Sequence, residues 1–276
     1  MSNQQQDLIF FQDNSLLSEE IITSESSVLS VISHVQGTSP SWLLNSLIEN
    51  GLNGTATLIN NDLNKKRSNR AEVFFVSFLH SKDFYIQNCK KNGLDLGHFT
   101  NFHFIDCFTN LFTKYIKDFK ESSRGVSEIF GQIEKQVEAV GGTRKIVFIE
   151  GLELLLLSNA GKANDLLSHI LKLNRKCRHL LVVSAQDSPQ IVKLHANTTQ
   201  DPAFEVSDFL VKLYHRSQLN INLQPLATGR ANDITGSLTI SRGSVPVESI
   251  IPGLRVVENE YIYHVTKDAS IKLFYR

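Results

Sequence analysis

No lysine or arginine precedes Lys65. Residues 1–64 carry seven acids (Asp7, Asp13, Glu19, Glu20, Glu25, Glu49, Asp62), so the rest of the chain holds 28 bases against 21 acids, a balance of +7 within a net charge of zero. A neutral chain is a poor stand-alone binder of nucleic acid, although one basic side can contribute to a composite surface. No apolar run approaches the ~18 residues of a membrane span, and the polar start "MSNQQQD" is unlike a secretory signal. A cytoplasmic and nuclear location without membrane contact is the expectation. The three cysteines, Cys89, Cys107 and Cys177, form no C-x-x-C pair, and the nine histidines form no H-E-x-x-H. Neither a disulfide framework nor a metal site is indicated, and each cysteine is expected as a small buried hydrophobe.

With 41% hydrophobic and 20% charged residues, the 276-residue chain has the composition of an ordinary globular protein. Short β-branched and aromatic runs predict strands near 28–34, 71–78, 102–107, 145–150 and 180–185. Helical patterns lie between them, near 42–50, 82–91, 109–120, 163–176 and 205–214. The clearest helical pattern is "VSEIFGQIEKQVEAVGG", with Val126, Ile129, Phe130, Ile133, Val137 and Val140 on one face and Gly141-Gly142 as a stop. This alternation predicts an α/β fold with a mostly parallel sheet flanked by helices, because parallel neighbours need crossover connections. From residue 217 to 276 apolar and polar residues alternate around turns, which predicts an antiparallel extension of the same sheet within one domain spanning 1–276. The polar, aperiodic stretch 59–70 reads as a mobile insertion.

The stretch "VLSVISHVQGTSPSWLLNSLIENG", Val28 to Gly51, has the strand–loop–helix layout of a phosphate-binding loop without its charge. With Gly37 as the first glycine of G-x-x-x-x-G-K-[ST], the places of Gly, Lys and Ser/Thr hold Trp42, Leu43 and Leu44. The lysine that neutralises phosphates and the hydroxyl that positions magnesium are both missing there. Gly37, Thr38, Ser39 and Pro40 therefore mark a degenerate nucleotide loop, with Ser39 as helix cap and Pro40 in the first helical position. Glu150, ending "KIVFIE", is the strand-end acid that would help hold magnesium, and a solvated acid is as common at such a place. The bases of "KLNRKCRH" (Lys172, Arg175, Lys176, Arg178, His179) suit the negative end of the helix they follow. Lys193 and His195, in the polar loop after the fifth strand, are candidates for RNA or ligand contact, since open α/β sheets bind at the carboxyl ends of their strands.

The C-terminal third is more specific. "NLQPLATGRANDITGSLTISRG" (222–243) and "VVENEYIYHVTKDASIKLFYR" (256–276) resemble the tail of the sixth-subunit family of the fungal Elongator complex. Similarity extends through "DLIFFQDNSLL", "HVQGTSPSWLLNSLIE" and "IVFIEGLELLL". The resemblance implies a RecA-like domain that joins the fourth and fifth Elongator subunits in a heterohexameric accessory ring. That ring docks on the Elongator core, which modifies wobble uridines in tRNA, and it binds tRNA and uses ATP at the ring level. The resemblance implies a non-catalytic subunit without a cofactor, whose scaffold is kept for assembly. Arg230, Arg242, Phe274 and Tyr275 are then candidates for the subunit interface. An active NTPase with a lysine brought from elsewhere, and a RecA-like DNA-repair accessory protein, remain alternatives.

Overall fold

The computed structural model describes residues 5–35, 38–60, 70–116, 122–186, 202–226, 233–266 and 270–276. Nine strands form one sheet: β1 (Val28–His34), β2 (Glu72–Ser77), β3 (Phe102–Asp106), β4 (Lys145–Glu150), β5 (His179–Ala185), β6 (Leu219–Gln224), β7 (Gly236–Arg242), β8 (Asn259–Val265) and β9 (Ile271–Tyr275). Their order is β3-β2-β4-β5-β1-β6-β7-β8-β9. The six strands from β3 to β6 run parallel, and antiparallel pairing begins between β6 and β7. The expected antiparallel extension is corrected in one respect: its first strand, β6, is the parallel neighbour of β1, with Ile32 opposite Ile221. This mostly parallel sheet with an antiparallel C-terminal part is consistent with a RecA-like fold.

Period-two alternation sorts the strand residues onto two faces. On one face Val28, Ile32, Val73, Phe75, Ile146, Phe148, Leu181 and Val183 pack under α1 (Glu19–Thr23), α2 (Ser41–Asn53) and α3 (Lys82–Lys91). The same layer takes in Leu8, Phe10, Phe11, Leu16 and Leu17 of the amino-terminal segment, and Tyr261, Tyr263 and Leu273 of the C-terminal strands. On the other face Leu29, Val31, Phe74, Val76, Val147, Ile149, Leu180 and Val182 meet α4 (Ser122–Ala139), α5 (Glu153–Leu157), α6 (Ala163–Asn174) and α7 (Pro202–Tyr214). Val126, Ile129, Phe130, Ile133 and Val137 of the α4 stripe are buried as their spacing predicts, Val140 just beyond the helix is half-buried, and Gly142 has φ +92°. Of the helix expected over 109–120, the described residues show one π-helical turn, Leu111–Tyr115; residues 117–121 lie outside the described residues, and α4 begins at Ser122.

At the proposed insertion, residues 61–69 lie outside the described residues, while its two ends are fixed. Ile59 and Asn60 are buried, and the Asn60 amide exchanges hydrogen bonds with the Leu8 backbone at 2.8 and 2.7 Å. Arg70 is buried as well, giving its guanidinium to Glu19 and to the Asn50 carbonyl. All three cysteines are buried free thiols, and burial pushes them up to about 12 for Cys89 and Cys107. Among the described residues no helix is long and apolar enough to cross a membrane, and no cluster of His, Cys, Asp or Glu could hold a metal.

Candidate functional site

The loop after β1 and the ends of β2, β4 and β5 share the carboxyl edge of the parallel sheet, where the fold places ligands. Gly37 lies outside the described residues. Thr38 is buried, and both its N–H (3.0 Å) and its hydroxyl (2.7 Å) donate to the Val35 carbonyl. The Thr38 hydroxyl is thus spent on closing its own turn. The helix starts one residue later than the sequence predicts. Pro40, at φ −79° and ψ −1°, is the cap, and its carbonyl accepts from Leu44 N–H at 2.9 Å. Ser39 receives the Ser41 N–H at 3.3 Å and lies 2.8 Å from the Ser41 hydroxyl. Beyond Ser41 every residue of α2 is buried, polar ones included. Asn45 accepts from the Cys89 thiol, and Glu49 accepts from Thr55 and Thr57. Such burial all round marks a helix used as core.

Glu150 is only 3% exposed, which corrects the solvated reading of this acid. The Ser77 hydroxyl donates to its Oε1 at 2.6 Å. Burial raises the carboxyl above its usual range, and hydrogen bonds from Ser77 and Tyr85 oppose the rise. The Tyr85 phenol is itself held high, first by burial and then by the Glu150 charge. Next to Glu150, Gly151 has φ +79°, and a Cβ there would meet Leu79 Cγ at 2.6 Å, so only glycine lets β4 turn into α5. The turn delivers a second acid that sequence reasoning missed. Glu153 accepts from Ala185 N–H and from the Ser184 hydroxyl, both at 3.3 Å, and burial pushes it up to about 7. It therefore exchanges a proton near neutrality. The pairing E-G-x-E was legible, but a five-residue helix has no period to reveal that Glu153 turns inward.

Of the remaining predicted residues, those that are described do not converge on this site. Lys193, His195 and Arg230 lie outside the described residues. Arg242, at the end of β7, lies 3.6 Å from Glu258 across the β7–β8 pair. On β9, an edge strand, Phe274 is half-buried and Tyr275 is exposed with its ring stacked on Tyr261 at 5.1 Å. The Arg276 N–H bonds to the Glu260 carbonyl, so alternation turns the Leu273 carbonyl to the free side of β9, where it accepts from Gln6 N–H at 2.9 Å. The chain's own amino-terminal segment thus covers part of that edge. Of the basic cluster, Arg175, Lys176 and Arg178 line one cavity with Lys145, where Lys176 pairs with Glu138 at 2.5 Å and Arg178 donates to the Thr143 carbonyl. His179 is fully buried on Ser30 at 2.7 Å, where desolvation pushes its imidazole down to about 3.

No protein-family model matches the chain. It is 31% identical over 280 residues to Elongator complex protein 6 of Saccharomyces cerevisiae, an alignment covering 100% of this chain and 99% of that protein. It is 28% identical over 174 residues to the Elongator complex protein 6 homolog of Schizosaccharomyces pombe, covering 61% of this chain and 65% of that one. An alignment end to end at this identity carries the whole nine-stranded sheet as well as the C-terminal motif, and the chain belongs to the Elongator complex protein 6 family.

Proposed function

We propose that the chain is a non-catalytic RecA-like subunit of the Elongator accessory ring. In that reading it assembles with the fourth and fifth Elongator subunits as a heterohexamer that docks on the Elongator core in the cytoplasm and nucleus. The ring supports tRNA binding and wobble-uridine modification. The observation that carries the non-catalytic part is the use made of the groups flanking the degenerate loop. Thr38 closes its turn on Val35, and Glu150 accepts from Ser77 inside the core. No cation of the first 64 residues exists to neutralise a triphosphate there. Lys193 and His195 are proposed as RNA contacts on the same carboxyl edge.

The test uses the full chain, purified alone and co-expressed with the two proposed partners. Magnesium-dependent ATP hydrolysis by the chain alone is expected to equal that of buffer. The co-expressed set is expected to run as one assembly by native mass spectrometry. Turnover by the chain alone that disappears in Glu150→Gln would overturn the non-catalytic reading, and a chain recovered free of both partners would overturn the ring reading.

A further inference from the structure

We infer that the cavity at the amino edge of the parallel sheet, between the turn before β4 and the turn before β5, binds a phosphate group, free or in an RNA backbone. Its lining includes four cations, Lys145, Arg175, Lys176 and Arg178, and no acid. Its volume of about 180 Å³ lies below the ~300–1,000 Å³ of small-molecule sites, and no aromatic ring lines it. It therefore suits a charged group rather than a base or an apolar body. It lies at the opposite end of the strands from the degenerate loop.

Two observations point to an anion. The first is Lys145, which is only 8% exposed. Its Nζ donates to the Val137 carbonyl at 2.6 Å, and it forms no ion pair among the described residues. An ammonium carries three donors, so one carbonyl leaves it short of partners, and a buried charge without a counter-charge is costly. The second observation is the charge balance. Lys176 pairs with the exposed Glu138 of α4, Arg178 spends donors on the carbonyls of Thr143 and Glu25, and the exposed Arg175 side chain has no partner among the described residues. The carboxyl ends of α4 and α6 face this edge and favour cations, but each is worth only about half a charge. One carboxylate and two helix ends thus leave roughly two positive charges over. Beyond the walls, Glu25 and Glu134 are matched in number by the exposed Arg144 and Lys172. Residues 61–69, outside the described residues, hold three bases and one acid, and their neighbours Asn60 and Arg70 are bonded in the opposite layer, to Leu8 and Asn50. Two guanidinium forks and two ammonium groups suit a tetrahedral phosphate, where a carboxylate would leave part of the charge unmatched.

The full chain, labelled with 15N, is titrated with inorganic phosphate, with a single-stranded oligouridylate and with sodium chloride at matched ionic strength, while the amide signals of Gly142, Thr143 and Cys177 are followed. The expected result is a saturable shift of these signals with phosphate or with the RNA and none with chloride, the tighter of the two arms identifying the source. Arg175→Glu, an exposed substitution, should weaken binding about tenfold or more, the size of one close charge contact. In the RNA arm it should also lower the slope of log affinity against log salt by about 1. Lys145→Met, which keeps the buried stem and removes the ammonium, should weaken binding at least as much, and Arg175→Glu decides alone if this buried variant does not fold. Signals unmoved by both ligands, an equal shift with chloride, or an unchanged affinity in Arg175→Glu would each overturn the inference.

Discussion

The carboxyl edge of the parallel sheet and the C-terminal strands have exchanged the parts that their positions suggest. The edge is where an α/β sheet ordinarily meets a ligand, yet its polar groups are turned onto the protein: Thr38 onto Val35, Glu150 onto Ser77, Glu153 onto Ser184 and Ala185. The C-terminal strands look like an appendix in sequence, yet Tyr261, Tyr263 and Leu273 are fully buried in the same layer as α2. Polar character at a strand end is thus no guide to exposure when the neighbouring strands supply hydroxyls, and a late position in the chain is no guide to dispensability when its side chains complete a core.

Removing residues 256–276 tests the second half of this contrast and should have the largest effect. The truncation takes away β8, β9 and the Phe11–Val256 bridge to the amino-terminal segment. Losing several buried large side chains costs about 3–5 kcal/mol for each aromatic, more than a domain's whole margin when summed. The expected outcome is no soluble folded chain, with collapse of amide-exchange protection across α2 as well. A truncated chain that stays folded would return these strands to the role of an assembly appendix.

The first half is sharpened by pH. The folded-state value of Glu153, about 7, lies above its usual 4.5. A raised acid stabilises the fold fully below the lower value, and this contribution is lost as pH rises through the higher one. The loss amounts to about 3–3.5 kcal/mol at the ~1.4 kcal/mol per unit that links the two quantities. Urea denaturation between pH 5 and 8 should show the native chain losing stability relative to Glu153→Gln as pH rises, the comparison cancelling the opposite contribution of buried His179, so that the variant is the more stable protein at pH 8. A difference between the two proteins that does not grow with pH would mean that Glu153 is solvated or meets a cation.

The smallest effect is expected at Arg242. Its pair with Glu258 is exposed on both sides, at 66% and 49%, so Arg242→Glu should change the stability of the chain by less than about 1 kcal/mol. A larger loss confined to recovery of the assembled ring, with the isolated chain unaffected, would place this arginine at a subunit interface instead.

The sequence by itself determined the strands whose side chains are buried on both faces. β1 and β4 match their predicted spans residue for residue, because a β-branched run bounded by polar residues and glycine leaves few other conformations. It also determined the amphipathic α4 and the absence of a lysine after Gly37. Tertiary structure alone decided the direction of β6, since a period of two is the same in parallel and antiparallel neighbours and only the α7 crossover places β6 beside β1. It also decided the state of Glu150, whose partner Ser77 is 73 residues away. Whether a carboxylate is solvated or buried depends on what the fold sets against it, and local sequence carries no record of a neighbour so distant along the chain.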